Sequence, residues 1–157
     1  MSEGYRIERL ADQDRGAFSS GSEALDRYFR EGVIQDARRR IAYCFVAIGP
    51  DGDLAGFYTL SATSVLLDRL PPARAKKPPR HPLVPAILLG RLAVAQSHQG
   101  KRLGAALVAD ALIRARSGDV SGHLMVVDAK DEQVARLYEH LEFTRLADDS
   151  RRLVRAL

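Results

Sequence analysis

Apolar and polar positions along the 157-residue chain switch between a period of two and a period near 3.6, and the switches mark its elements. Tyr5 to Leu10 alternates loosely and reads as a short first strand. Ser20-Gly21-Ser22-Glu23 then offers capping residues ahead of Leu25, Tyr28, Phe29 and Val33. Their spacing predicts one face of a helix ending near Arg38-Arg39-Arg40. Ile41 to Gly49 and Leu54 to Leu66 are rich in β-branched and aromatic residues, and the turn signal Pro50-Asp51-Gly52-Asp53 between them predicts a hairpin.

From Asp68 to Pro85 the pattern breaks, because six of the seven prolines fall there and exclude a helix or a central strand. Arg69, Arg74, Lys76, Lys77 and Arg80 lie in the same stretch. Ala86 to Val94 reads as a buried strand, and Gly104 to Arg116 as a helix whose apolar face is Ala105, Leu107, Val108, Ala111, Leu112 and Ala115. A strand over His123 to Ala129 and a helix over Asp131 to Leu141 follow, and Phe143 to Leu146 with Arg152 to Leu157 predicts a terminal hairpin. Strands alternating with helices, together with two hairpins, predict an α/β domain with a mixed sheet and no internal repeat.

Composition sharpens this picture at three points. An apolar content of 46% over 157 residues suits one globular domain spanning 1–157. A formal charge of +4 favours polyanionic partners, so the placement of the charges matters more than their sum. The single cysteine, Cys44, rules out an internal disulfide and a multi-cysteine metal site; its place in an apolar run predicts a buried thiol. The first residues show no charged start followed by an apolar block, and no run is long enough to cross a bilayer. A soluble, cytoplasmic protein is expected, with no metal.

The segment richest in chemistry is Leu89-Gly90-Arg91-Leu92-Ala93-Val94, followed by Gln99-Gly100-Lys101-Arg102-Leu103-Gly104-Ala105. An apolar strand passes here through a basic, glycine-bearing turn into a helix. Free amides at a helix start and the positive end of its dipole form an anion site, and glycine lets the backbone approach a diphosphate closely.

With these elements in order, the residues Gln99-Gly100-Lys101-Arg102-Leu103-Gly104 resemble the signature of the GNAT acetyltransferase superfamily, with Arg102 in place of the central glycine. Leu137-Tyr138-Glu139-His140-Leu141-Glu142-Phe143 resembles the family's second landmark, with Glu142 where glycine is usual. Arg102 keeps the turn relaxed if its φ is negative and is strained if φ is positive. Glu142 at a helix C-terminus costs stability more than chemistry. Phe18 to Phe29, Gly56-Phe57-Tyr58-Thr59-Leu60-Ser61 and Leu89 to Val94 together resemble the GNAT toxins of bacterial toxin–antitoxin modules, which acetylate the α-amino group of aminoacyl-tRNA.

The resemblance implies a single GNAT-like α/β (α+β) domain with a mixed, mostly antiparallel twisted sheet flanked by helices. It implies acetyl-CoA as cosubstrate, held by the backbone of Leu92, Ala93 and Val94 and by Gln99, Gly100, Lys101, Arg102, Leu103, Gly104 and Ala105. Tyr138 takes the place of the tyrosine that protonates the coenzyme sulfur, and a phenol remains protonated at neutral pH. No general base stands out: Asp128, Asp131, Glu132, His98, His123 and His140 are each more simply a cap, a surface group or a satisfied histidine. Arg38, Arg39, Arg40, Arg74, Lys76, Lys77, Arg80 and Arg91 are the candidates for tRNA phosphates. A ribbon-helix-helix antitoxin and a homodimer are the implied partners. Two other functions fit the same residues, a stand-alone GNAT enzyme acting on a small amine or protein N-terminus, and a non-catalytic acyl-CoA or RNA-binding module.

Overall fold

The computed structural model describes residues 4–70, 82–146 and 151–157. Its elements are β1 (Arg6–Arg9), α1 (Glu23–Arg27), a π turn (Tyr28–Gly32), α2 (Val33–Arg38), β2 (Tyr43–Ile48) and β3 (Leu54–Leu66). After them come β4 (Leu83–Val94), α3 (Leu103–Ser117), β5 (Leu124–Asp128), α4 (Glu132–His140), β6 (Thr144–Arg145) and β7 (Arg152–Ala156). The strands form one sheet in the order β1-β2-β3-β4-β5-β7-β6. The pairs β1/β2, β2/β3, β5/β7 and β6/β7 are antiparallel and β4/β5 is parallel, so the expected mixed, mostly antiparallel α/β architecture is present.

Two compact units are interleaved along the sequence, Met1–Ser61 with Gly90–Ala111, and Ala62–Leu89 with Leu112–Leu157. In the first, strand alternation sends Cys44, Val46 and Ile48 inward to meet Phe18, Phe29, Val33 and Phe57. Phe29 and Phe57 stack with centroids 4.2 Å apart, and Phe18 meets both edge-on. Truncating one such ring to alanine costs about 3–5 kcal/mol. In the second unit Val65, Val84, Ala86, Leu124, Val126, Leu146 and Val154 form the core.

The helix expected from the Leu25/Tyr28/Phe29/Val33 spacing is not continuous. The π turn Tyr28–Gly32 interrupts it, and the guanidinium of Arg15 donates to the carbonyls of Phe29 (2.7 Å) and Arg30 (3.2 Å) there. A segment remote in sequence thus supplies donors to carbonyls within the interrupted stretch, which helical periodicity does not reveal. The start of this helix is also held by a group the pattern missed. Asp26, 5% exposed, accepts from the Ser20 amide and hydroxyl, alongside the expected Ser22 cap on Leu25.

Strand β4 begins at Leu83, three residues before the expected start, and so includes Pro85. Pro85 has no N–H to give, but its carbonyl accepts from the His123 amide at 2.8 Å, so the extended backbone remains useful there. The β2–β3 connection closes as expected, with Gly52 at φ 87° and Gly49 N–H donating to Asp53 O.

Cys44 is 2% exposed, and burial pushes its thiol up to about 12. The native protein is therefore expected to be unreactive to a thiol reagent at pH 8 and to react stoichiometrically once unfolded. Fast labelling of the folded chain would place Cys44 in an exposed, ionised state that this packing forbids.

Candidate active site

The first unit carries the strand–turn–helix junction. Strand β4 pairs with β5 only over Ala86–Leu89, so that ladder stops short of Leu92, Ala93 and Val94. Arg91 is fixed at two points. Its amide donates to Thr59 Oγ1 at 3.0 Å, and its guanidinium lies 3.7 Å above the ring of Tyr28. Thr59 is buried, and a Cβ on Gly90 would approach its hydroxyl to 2.9 Å, which explains the glycine before Arg91. The Tyr28 hydroxyl donates to Asp36 at 2.7 Å; burial first, then this bond, raises its pKa.

After β4 the chain turns through Gln96–His98 and reaches Gly100 at φ 81° and Arg102 at φ 61°. The conditional expectation for Arg102 is settled on the strained side, since a non-glycine residue in the left-handed region costs about 1 kcal/mol. The first hydrogen bond of α3 runs from the Ala106 amide to Arg102 O. Among the described residues, the amides of residues 100 to 105 therefore have no protein acceptor. A Cβ on Gly100 would meet nothing within 4 Å, and one on Gly104 only Val94 Cγ2 at 3.9 Å. Protein packing does not require glycine at 104, so the open space in front of the amides is available to a ligand. Lys101 and Arg102 are exposed beside it. This combination fits a diphosphate, which needs converging donors, positive charge and close backbone approach.

Gln99 has a different task from its neighbours. Its side-chain amide donates to Ser20 O (2.9 Å) and Val94 O (3.0 Å), tying the end of β4 to the start of the first helix. A cavity of about 740 Å³ also lies in this unit, but Glu8, Asp12, Asp14 and Asp53 are among its lining residues. Their charge makes it a poor host for phosphates, and the anion-binding features belong to the loop.

Tyr138 belongs to the second unit, on the buried face of α4 with Ala135. Asp131 caps this helix by accepting from Val134 N–H at 2.9 Å. Phe143 meets the tyrosine ring edge-on with centroids 5.4 Å apart. Burial raises the Tyr138 phenol to about 12, and its hydroxyl has no hydrogen-bond partner among the described residues. Beyond the helix end, the chain turns at Glu142, φ 72°, where Phe143 N–H returns to Tyr138 O and Glu142 N–H to Glu139 O. That double closure normally uses glycine, so Glu142 carries the stability cost expected of it.

The three carboxylates and His98, set aside as bases, have other partners. Arg152 grips Asp128 at 2.8 and 3.0 Å, Arg145 holds Glu132 at 2.7 Å, and Asp131 is the cap. His98, 7% exposed, lies between the Tyr5 hydroxyl (2.5 Å) and Asp53 (2.7 Å), and this contact holds the Asp53 carboxyl below its ordinary range. Sequence spacing gave no sign of this network, because its members are 45 and 93 positions from His98. Arg38, Arg39, Arg40 and Arg91 are exposed, whereas Arg74, Lys76, Lys77 and Arg80 lie outside the described residues.

A family model described as Acetyltransferase (GNAT) family matches residues 6–143, running through both units. The chain belongs to the GNAT acetyltransferases. This GNAT chain is 36% identical over 138 residues to a tRNA-acetylating toxin of Mycobacterium tuberculosis (strain ATCC 25618 / H37Rv), covering 86% of this chain and 81% of the relative. It is also similar to the solved structure of AtaT complexed with acetyl-methionyl-tRNAfMet, at 29% identity and TM-score 0.86, over 97% of this chain and 94% of the other. A third match is the crystal structure of AtaTR bound with AcCoA, at 28% identity and TM-score 0.80, over 99% of this chain and 95% of the other. As a GNAT acetyltransferase the chain uses acetyl-CoA, and no helix among its described residues is long and apolar enough to cross a membrane.

Proposed function

We propose that this acetyltransferase is the toxin of a toxin–antitoxin module and transfers an acetyl group to the α-amino group of aminoacyl-tRNA, blocking translation. The observation that carries the reading is the loop 99–105, where six successive amides without a protein acceptor among the described residues lie beside Lys101 and Arg102. The tRNA-acetylating relative supplies the acceptor class.

Acetyl-CoA supplies the acetyl thioester. The amides of residues 100 to 105, with Lys101 and Arg102, hold its diphosphate, while the backbone of Leu92, Ala93 and Val94 aligns the pantetheine arm as an added strand would. Gln99 acts on the same site by fixing Val94 through its carbonyl. Tyr138 holds the proton that the departing thiolate takes, and its phenol stays neutral throughout the working range. The α-amino group of an aminoacyl ester has a lowered pKa, so water suffices to take its proton. Arg38, Arg39, Arg40 and Arg91, with Arg74, Lys76, Lys77 and Arg80, meet the phosphates of the acceptor stem. A ribbon-helix-helix antitoxin neutralises the toxin, and the active form is a homodimer in the cytoplasm.

Purified protein incubated with labelled acetyl-CoA and total charged tRNA should yield label on the aminoacyl ester, read by mass spectrometry after nuclease digestion. Expression without a neighbouring antitoxin should arrest growth. Transfer to small amines or protein N-termini only, with normal growth, would replace this reading by a stand-alone enzyme; tight acetyl-CoA binding with no transfer would leave a binding module.

A further inference from the structure

Arg9 and Arg40 meet the exposed Tyr43 at the edge of the first unit, and the exposed Arg38 and Arg39 directly precede Arg40. Helix α2 ends at Arg38 with Arg39 as its cap, and the chain reverses at Arg40. The reversal is closed by Ile41 N–H to Asp36 O at 2.9 Å and Arg40 N–H to Ala37 O at 3.2 Å. Arg40 therefore occupies the left-handed position, φ 60°, that this helix ending ordinarily gives to glycine. Three residues later Tyr43 opens β2, and from the edge strand β1 the guanidinium carbon of Arg9 lies 3.9 Å above its ring. Arg9, together with the charge of Arg40, holds the Tyr43 phenol below its ordinary range.

A helix C-terminus favours cations, which accounts for Arg38 and Arg39. It does not account for Arg9, which arrives from another element, or for an arginine kept in a glycine conformation at position 40. Among the described residues no carboxylate pairs with Arg9, Arg38, Arg39 or Arg40. Asp36, the nearest acid in sequence, already accepts from Tyr28. Strand alternation turns Glu8 away from the face that Arg9 shares with Tyr43, and Glu8 lines the acidic cavity instead. The chain thus separates its charges and leaves a fixed, uncompensated cationic cluster around an aromatic donor.

We propose that Arg9, Arg40 and Tyr43 form a phosphate-binding subsite for the backbone of the RNA acceptor. This inference rests on the tRNA reading above, and it adds Arg9 and Tyr43 to the docking surface. Stacking on Tyr43 orients the Arg9 fork, Arg40 brings a second fork, and both match phosphate oxygens in geometry. Charge dominates the cluster, with Ile41, 55% exposed, as the large apolar side chain between Arg40 and Tyr43; a nucleic-acid backbone needs the charge alone, whereas an acidic peptide gains its hold from apolar pockets as well.

The test measures binding of deacylated tRNA by fluorescence anisotropy from 50 to 200 mM KCl, using the full chain and its Arg9→Ala, Arg40→Gly and double variants. Each single change should weaken binding several-fold at low salt and reduce the slope of log K against log salt by about one. Arg40→Gly should at the same time raise the melting temperature, because it removes a strained residue, so a loss of affinity cannot be ascribed to misfolding. Tyr43→Phe, which keeps the ring beneath Arg9, should bind more tightly than Tyr43→Ala. Unchanged affinity and slope in the double variant, with wild type still binding and acetylating charged tRNA, would overturn the subsite alone. Failure of wild type to bind or acetylate tRNA would overturn both readings. Loss of poly-glutamate binding with intact tRNA binding would reassign the cluster to an acidic protein segment.

Discussion

Replacing Tyr138 by phenylalanine is expected to lower turnover by ~10²–10⁴-fold, the range that a positioned proton donor contributes. Acetyl-CoA affinity and melting temperature should stay close to wild type. The hydroxyl makes no hydrogen bond to the described residues, so its removal breaks no internal contact, and phenylalanine retains the edge-on packing against Phe143. Burial raises the phenol from its ordinary 10.0 to about 12. The protonated donor is therefore fully populated through pH 9, and any alkaline loss of kcat below pH 10 must come from another group. The sign for stability is the same: the folded state holds this proton more tightly than the unfolded chain. Its contribution is complete below pH 10 and is lost as pH rises toward 12. Single-turnover rates of the two proteins at pH 7.5 decide the matter, and equal rates would remove Tyr138 from the chemistry.

The same helix shows what periodicity can and cannot report. The helix over 131–141 and Asp131 as a candidate cap were legible, because a cap and a helical run are local features. The unfavourable glycine replacements at Arg102 and Glu142 were legible as deviations from the family pattern, and their positive φ values give those deviations a physical cost. The hidden features are those in which distant segments meet. Arg15 reaches the carbonyls of the π turn, His98 links Tyr5 to Asp53, and Arg9 stacks on Tyr43. Each depends on how segments far apart in sequence are paired, and no window of neighbouring residues contains that information. The side chain of Gln99 illustrates the limit inside a recognised motif. Its position in the loop was readable, but its two bonds to Ser20 and Val94 required the tertiary structure.

At the other end of the reaction, Gly104→Glu is expected to raise the Kd for acetyl-CoA by ~10²-fold or more, equivalent to about 2.7 kcal/mol. A Cβ at this position meets only Val94 at 3.9 Å, so the protein accommodates a side chain. What a glutamate would oppose is the ligand, because it places a carboxylate where a diphosphate is to be held by amides. Gly104→Ala provides the control: it adds helix propensity worth up to about 1 kcal/mol with little bulk, and should bind acetyl-CoA nearly as well as wild type. Arg102→Gly separates two roles of one residue. Relief of the φ 61° strain should stabilise the fold by ~1 kcal/mol and raise the melting temperature by about 2–4 °C. Loss of the guanidinium should weaken coenzyme binding by about tenfold, the scale of one hydrogen bond to a charged group. Calorimetry of binding and of unfolding on the three variants reads both quantities. If Gly104→Glu bound acetyl-CoA like wild type, the diphosphate would not lie on these amides, because a ligand drawn to unpaired N–H groups cannot be indifferent to an anion placed among them.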